Sequence, residues 1–309
     1  MPDMSSELMV SAQGPEAVIP PEEILQPARP RWLESLARLG RRKPSLVAAI
    51  ILLVIIAVSI AAPLIAPYDP QEMHADSLLA PPSARFLFGT DEEGQDLLSR
   101  VLYAGRSSMA LAGASVLCAM VVGTILGLAS GYGGALLDAL IMRFMDALIS
   151  FPWLLMAILI VTVLGPGLPN TVLAIAVIGI PSVARMTRAT VLVEKEKDYV
   201  LAARVIGGSD LQIVVRHILP NIMPSTLLVA SLTAANAILT EATIGFIGLG
   251  VQPPYSSWGL LLRRGYSHFV LAPWYISSTA IVVVLTIWSL NTLGDGLRDA
   301  LDPRLRGIV

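Results

Sequence analysis

Long apolar windows with almost no charged residues most narrowly limit the folds that this chain can adopt. A helix needs about 20 such residues to cross the hydrocarbon of a bilayer. Five windows reach that length: 46–66, 108–130, 143–164, 222–249 and 274–292. A sixth, 170–190, is apolar as far as Pro181 and polar beyond it, which leaves its inner end open. Because only 14% of the residues are charged, against about 25% in soluble proteins, we predict an all-α, polytopic membrane protein with six transmembrane helices.

The distribution of basic residues predicts how these helices are oriented. With the N-terminus inside, the outer segments hold only five of the 21 Lys and Arg residues: Arg85, Arg100, Arg106, Arg263 and Arg264. Loops rich in Lys and Arg stay in the cytoplasm, so we expect both termini to be cytoplasmic. The formal net charge of −2 hides this asymmetry, and nothing in the sequence indicates nucleic-acid binding.

The apolar windows and the stretches between them divide the chain into four predicted regions. The first 30 residues are rich in Pro and acidic residues and have no helical stripe, which is typical of a disordered segment. The regions are a disordered cytoplasmic tail (1–30), an interfacial helix with the first span and an external loop (31–106), a transmembrane core with a cytoplasmic loop at 191–221 (107–296), and a cytoplasmic C-terminal tail (297–309).

Two short patterns flank the first span. Before it, Trp32, Leu36 and Leu39 recur at helical spacing among basic residues, which favours a helix lying in the inner interface. After it, the acidic stretch "DEEGQD" begins at Asp91. Its glycine comes fourth instead of sixth and no bidentate Glu closes the stretch, so a calcium loop is disfavoured. We expect a folded, solvated external loop and no metal site.

The second span carries small residues at a spacing that lines one helix face: Gly123, Gly127 and Gly131. Such a stripe lets another helix approach closely in a membrane. The inner turn that follows carries Asp138, Arg143 and Asp146, for which the sequence predicts an ion-pair set, since Arg143 and Asp146 are i, i+3 neighbours.

The stretch "LAARVIGGSDLQIVVRHILPN" (201–221) interrupts the apolar chain with two short amphipathic helices. Gly207 or Gly208 can supply a left-handed cap to the first helix, and Ser209 with Gln212 forms a capping box for the second. Pro220 is expected to end the second helix before the next span. The predicted apolar stripe consists of Leu211, Val214, Val215 and Ile218. A partner protein is implied, because the chain has no soluble domain to receive this stripe.

The same stretch resembles the EAA loop of ABC importer permeases, in which Glu-Ala-Ala is followed by a glycine and then by a Leu-Pro pair. Leu201 stands where the family has Glu, and His217 where it has an apolar residue. The resemblance implies that this loop couples the permease to ATPase subunits. The predicted coupling residues are Leu201, Ala202, Ala203, Gly207, Gly208, Ser209, Leu219 and Pro220.

Three further motifs resemble the dipeptide/oligopeptide/nickel branch of these permeases. They are "FGTDEEGQDLLSR" (88–100), with Gln95 where that branch has Arg, "TEATIGFIGLGVQPPYSSWG" (240–259) and "LGDGLRDALDPRLR" (293–306). The resemblance covers about residues 31–309. It implies a type I ABC importer permease fold in the cytoplasmic membrane of a prokaryote.

The resemblance also implies function and partners. This chain would pair with a homologous permease, two cytoplasmic ATPases and an extracytoplasmic solute-binding protein, and would carry peptides inward through the lipid membrane. Nickel or another small solute is the alternative. None of the three lysines (Lys43, Lys195 and Lys197) follows a glycine, so the chain has no P-loop. We therefore expect no enzyme activity and no cofactor on this chain, with ATP and Mg²⁺ bound by its partners.

Two other classes of protein fit the sequence less well. An ion-coupled transporter would place ionisable residues deep in several spans, and only Glu241 lies clearly within one. An intramembrane hydrolase would need a Ser-His or Asp-Asp arrangement, and none converges by spacing. Glu241 itself is either a functional residue or a structural one that hydrogen-bonds loosened backbone. Trp258 and Trp274 are expected in the outer aromatic belt.

Overall fold

The computed structural model describes residues 42–253 and 255–301. Within these ranges the chain forms eleven α-helices and one π-helical stretch. They are α1 (Lys43–Ile60), α2 (Ala62–Ile65), α3 (Leu97–Tyr132), α4 (Ala135–Ser150), α5 (Trp153–Leu164), α6 (Leu168–Glu194), α7 (Asp198–Val205), α8 (Asp210–Ile213), the π-helical stretch Val214–Ile218, α9 (Leu219–Ile247), α10 (Trp258–Ser267) and α11 (Pro273–Leu301). The predicted tail at 1–30, the predicted interfacial helix around Trp32 and the C-terminal residues 302–309 lie outside the described residues.

Five helical segments are long and apolar enough to cross a membrane. They are α1, α3, α6, the continuous helix Asp210–Ile247 and α11. Helices α4 and α5 meet the same criterion only together, and they are bent by 92° at the break between them. Counting this bent pair as one span gives the six spans that the sequence predicts.

The third predicted span, 143–164, is not one straight helix. The backbone of this span leaves helical geometry at Phe151 (φ −81°, ψ 134°) and Pro152 (φ −55°, ψ 127°). A proline disfavours the helical conformation of the residue before it, so the break falls at this pair. Pro181 behaves differently, because α6 continues through it to Glu194. The sequence left the inner end of the window 170–190 open, and in the structure the helix extends to Glu194.

The glycine stripe of α3 packs against α6, as predicted. A Cβ atom placed on Gly127 would lie 2.5 Å from Cβ of Thr187, and one on Gly131 would lie 2.8 Å from Cβ of Val191. Gly123 has the same relation to Val183, at 2.7 Å. Any larger residue on this stripe would push the two helices apart, so the α3–α6 pair forms a tightly packed unit.

The ion pairs of the inner turn differ from the predicted set. Asp138 on α4 accepts two hydrogen bonds from Arg188 on α6, each 2.5 Å long, and Asp146 accepts one from Arg185 at 2.6 Å. Neither pair includes Arg143. The prediction considered only neighbours within one helix, whereas α4 lies alongside the inner end of α6 and takes its partners from there.

At its C-terminal end, α9 turns back through a loop into α10, and the two helices touch at glycines. A Cβ atom on Gly245 would lie 2.8 Å from Cα of Gly259. Trp258 at the start of α10 is buried, and its indole N–H donates to the carbonyl oxygen of Val101 at 3.1 Å. The prediction of Trp258 in an aromatic belt is therefore wrong, because this hydrogen bond satisfies the indole inside the core. Trp274 is half-buried.

Candidate functional site

The segment 201–221 has the local structure that its sequence predicts in two respects. Helix α7 ends at a turn in which Gly207 adopts φ +86°, a conformation that favours glycine. Helix α8 then begins at Ser209, whose side chain and that of Gln212 form a reciprocal capping box. Two short helices therefore meet at a sharp, well-defined corner.

The apolar stripe of this segment differs from the predicted one. Ile213 and Ile218 are buried, but Leu211 and Val215 are exposed, by 74% and 54%. The π-helical stretch Val214–Ile218 accounts for the difference. A π turn takes more residues than an α turn, so a stripe drawn at the α-helical spacing moves off the buried face.

Pro220 does not end the second helix. From Asp210 to Ile247 the chain is helical without interruption, and Pro220 lies in the first turn of α9 directly after the π-helical stretch. A proline lacks the amide hydrogen that an α-helix needs at this point. The π-helical stretch before it provides a different local geometry, and Asn221 Nδ2 donates to the carbonyl of His217 at 2.7 Å. At the position where the second helix was expected to end, the chain continues as one helix with an irregular turn.

A small apolar cluster attaches the segment to the membrane helices. Its buried members are Val191, Val200, Ala203, Ile213, Ile218 and Ile222. Ala203, predicted as a coupling residue, is only 7% exposed and belongs to this cluster, whereas Ala202 and Leu201 are exposed. The structure therefore divides the predicted coupling residues into buried and solvent-facing groups.

Hydrogen bonds from other helices hold the same segment. The hydroxyl of Tyr132, at the inner end of α3, donates to Asp210 at 2.7 Å, and Arg204 donates to that hydroxyl at 3.2 Å. Tyr199 donates to Glu194 at 2.5 Å. Burial, together with this bond to a carboxylate, raises the pKa of Tyr199 to about 12, so it remains a donor at neutral pH. Movement of α7 and α8 would consequently displace α3 and α6.

Five apolar side chains of the segment 201–221 are exposed, and we call this set the cytoplasmic apolar face, after the orientation that the sequence predicts. It consists of Leu201, Val205, Ile206, Leu211 and Val215. Val205 and Ile206, beside the Gly207 corner, are each 86% exposed. Clustered exposed side chains of this kind indicate a surface that binds another protein.

At the start of α3, the stretch "FGTDEEGQDLLSR" folds around a buried ion pair. The Asp91 side chain is fully buried and the Arg100 side chain is 7% exposed, and the two are hydrogen-bonded. Asp91 also accepts from the backbone N–H groups of Glu93 and Gln95, at 2.9 and 2.8 Å. Burial raises the pKa of Asp91, and the charge of Arg100 acts against this shift. Gln95, which replaces the family's Arg, is bound to Arg100 through its side-chain oxygen.

Glu241 lies in the α9–α10 contact and is 1% exposed. Its carboxyl group has the hydroxyls of Ser108 and Ser257 and the backbone of Gly259 as neighbours. Neither carboxyl oxygen has a hydrogen bond of normal geometry to the described residues. The same two serines accept hydrogen bonds from backbone N–H groups of α10, from Trp258 at 3.0 Å and from Leu260 at 3.4 Å. Glu241 thus lacks the backbone hydrogen bond that the structural alternative expects, and both of its roles stay predictions.

The helix arrangement defines the class of protein to which this chain belongs. It is similar to a chain of the inward-facing MetNI methionine ABC transporter, with a TM-score of 0.55 and 18% identity, covering 67% of this chain and 98% of that chain. A second crystal form of the same transporter gives a TM-score of 0.54 and 19% identity, covering 67% of this chain and 97% of that chain. The fold is that of a type I ABC importer permease.

Sequence comparisons then define the family. Residues 123–307 match the family described as "Binding-protein-dependent transport system inner membrane component", and residues 31–82 match the "N-terminal TM domain of oligopeptide transport permease C". The chain belongs to this family of inner membrane components and is a multi-pass permease subunit.

Several named relatives cover most of the chain. The "Di/tripeptide transport system permease protein DppC" of Pseudomonas aeruginosa is 42% identical over 86% of this chain and 90% of its own length. The "Dipeptide transport system permease protein DppC" of Alkalihalophilus pseudofirmus is 36% identical over 98% of this chain and 100% of its own. The "Glutathione transport system permease protein GsiD" of Pectobacterium atrosepticum is 39% identical over 90% of this chain and 93% of its own.

Proposed function

We propose that this chain is one of two permease subunits of an ATP-driven importer for short peptides. It pairs with a homologous permease, and an extracytoplasmic binding protein delivers the peptide. Two cytoplasmic ATPases bind ATP and Mg²⁺ and supply the energy. The observation that carries this proposal is the cytoplasmic apolar face, an exposed apolar surface on a segment fastened to three membrane helices.

The predicted coupling residues take two roles in this proposal. Leu201 belongs to the cytoplasmic apolar face, where an ATPase subunit would dock, and Ala202, the next residue, is also exposed. Ala203 keeps α7 against the buried cluster, Gly207 and Gly208 make the corner, and Ser209 caps α8. Leu219 and Pro220 begin α9 and would transmit movement of the two short helices to it. ATPase closure would therefore turn the two short helices and the ends of α3, α6 and α9 together.

The solute is the part of the proposal that rests on the relatives. Their names include di- and tripeptides, dipeptides and glutathione, all of which contain amide bonds between amino acids. Nickel or another small solute is the alternative.

In a strain lacking this gene, we expect the wild-type chain to restore uptake of radiolabelled dipeptides and not of Ni²⁺. The measurement is initial uptake rate, with longer peptides as a third solute and an empty vector as the control. Restoration of Ni²⁺ uptake alone would replace the peptide proposal with its alternative.

The proposed topology has both termini in the cytoplasm and the four regions predicted from the sequence. Cysteines introduced at Ser83 and Ser267 in a Cys118→Ser background should react with an impermeant thiol reagent added outside. A cysteine at Ser209 should react only after the membrane is opened. All three positions are exposed, so burial does not account for a lack of reaction. Labelling in the reverse pattern contradicts this orientation.

A further inference from the structure

A cavity with four polar residues in a mostly apolar lining lies between α5, α6 and α9, at mid-length of α6 and α9. Its volume is about 300 Å³. The side chains that give it polar character are Ser182 on α6 and Thr233, Asn236 and Thr240 on α9. The three residues of α9 follow one another at intervals of three and four and therefore lie on one face of that helix.

The position of these four polar residues along the helices is unusual. Asn236 lies near the middle of the apolar stretch of α9, and Ser182 lies near the middle of α6. Both side chains are exposed in this chain. A carboxamide without a hydrogen-bond partner is costly in hydrocarbon, and polar residues within spans usually face protein or water-filled space. Lipid is therefore an unsuitable neighbour for this surface.

The cavity offers neutral hydrogen-bonding groups. The hydroxyls of Thr233 and Thr240 donate to carbonyls of their own helix, at 2.8 and 2.7 Å, and keep their oxygens as acceptors. The carboxamide of Asn236 can donate and accept. None of the residues lining the cavity carries a carboxylate, an imidazole or a thiol. Glu241, the residue after Thr240, does not line the cavity.

A glycine allows close helix packing beside this cavity. Gly179 lines the cavity, and a Cβ atom placed on it would lie 3.1 Å from Cγ2 of Thr233 and 3.1 Å from Cβ of Ala119. Helices α3, α6 and α9 therefore approach closely behind the cavity. A larger residue at this position would press on Thr233, one of the four polar residues of the cavity.

We propose that this cavity is a section of the translocation path in which Ser182 and Asn236 hydrogen-bond the main chain of a passing short peptide. The inference rests on the proposed function and adds the site at which the solute is contacted. Amide groups of a peptide match neutral donors and acceptors whatever the side chains are. Because passage requires binding weak enough for release, neutral contacts suit this section better than ion pairs. A divalent cation finds none of its preferred charged or imidazole ligands there.

The test measures how fast a charged, water-soluble methanethiosulfonate reagent labels single cysteines in the complete transporter, in membranes and in a Cys118→Ser background. The test positions are Asn236→Cys and Ser182→Cys. Val284→Cys is the matched control, because Val284 is an exposed apolar residue near the middle of α11. Ser83→Cys in the external loop reports full access to water. We expect the two test cysteines to react at least tenfold faster than the one at Val284, and a saturating unlabelled tripeptide to slow them several-fold.

The outcomes separate this inference from the proposed function. If both test cysteines react as slowly as the one at Val284 while that at Ser83 reacts fully, the cavity is not part of a path. A disulfide between Asn236→Cys and a cysteine scanned along the homologous permease in the resting state overturns the inference in favour of helix packing. If the transporter imports the peptide but the peptide does not slow labelling of the cysteines, the proposed contact with the peptide main chain is wrong. Failure of peptide uptake by the wild type instead refutes the proposed solute.

Discussion

Replacing Val205 and Ile206 together with aspartate is expected to release the ATPase subunits and to abolish uptake. Both side chains are 86% exposed in this chain, so the change does not disturb its own packing. Burying a side chain of this size at an interface contributes about 1.5–3 kcal/mol. Loss of two such contacts weakens association by roughly 100-fold or more, since each 1.4 kcal/mol is a factor of ten.

The measurement is co-purification of the ATPase subunits with tagged permease, beside its yield in the membrane. Leu87→Asp is the control, because Leu87 is also a largely exposed apolar residue but lies in the external loop. It should leave the complex and its ATP hydrolysis intact. Normal subunit retention in the Val205→Asp, Ile206→Asp variant would remove the cytoplasmic apolar face from the coupling proposal.

Ala203 is unsuitable for the same experiment, although the sequence points to it. An arginine at this position would enter the cluster that holds α7 to α6 and α9. Loss of function would then follow from a misplaced segment whether or not Ala203 touches a partner. The choice of variant thus depends on which residues are buried, and the family motif does not give that information.

The sequence predicted features that depend on local chemistry. The left-handed glycine at Gly207, the Ser209 capping box and the glycine stripe of α3 all follow from short patterns and were found as predicted. Hydropathy also predicted six spans, a number that the structure matches when the bent pair of α4 and α5 is counted as one span. These features are recognisable because each requires particular residue types at fixed spacing, independently of the rest of the chain.

Features that depend on helix irregularity or distant neighbours were missed. Averaging hydropathy over 143–164 concealed the Phe151–Pro152 break. A strict period of 3.6 residues concealed the π-helical stretch before Pro220. The cavity joins Ser182 to Asn236, whose helices pack together only in the folded chain. No pattern within either helix distinguishes these polar residues from others in the spans.

The loop before α3 contains the Asp91–Arg100 pair, and breaking this pair is the second change for which we expect a large effect. We expect Asp91→Asn to lower the stability of the folded chain by about 3–5 kcal/mol, the usual cost of removing one partner of a buried ion pair. Asparagine keeps a side-chain oxygen that can accept from the N–H groups of Glu93 and Gln95. The loss therefore reports mainly the unpaired charge of Arg100. Thermal unfolding of the purified chain in detergent measures it.

A pair in the same loop provides the control. Asp76 and Arg85 are 3.0 Å apart, and their side chains are 67% and 52% exposed. Since exposed pairs contribute about 0–1 kcal/mol, Asp76→Asn should leave the unfolding midpoint nearly unchanged. Adding Arg100→Met to Asp91→Asn should restore part of the lost stability, because it removes the buried charge that the first change left alone. Equal destabilisation by Asp76→Asn and Asp91→Asn, or no recovery in the double variant, would contradict the buried pair as the element that holds this loop.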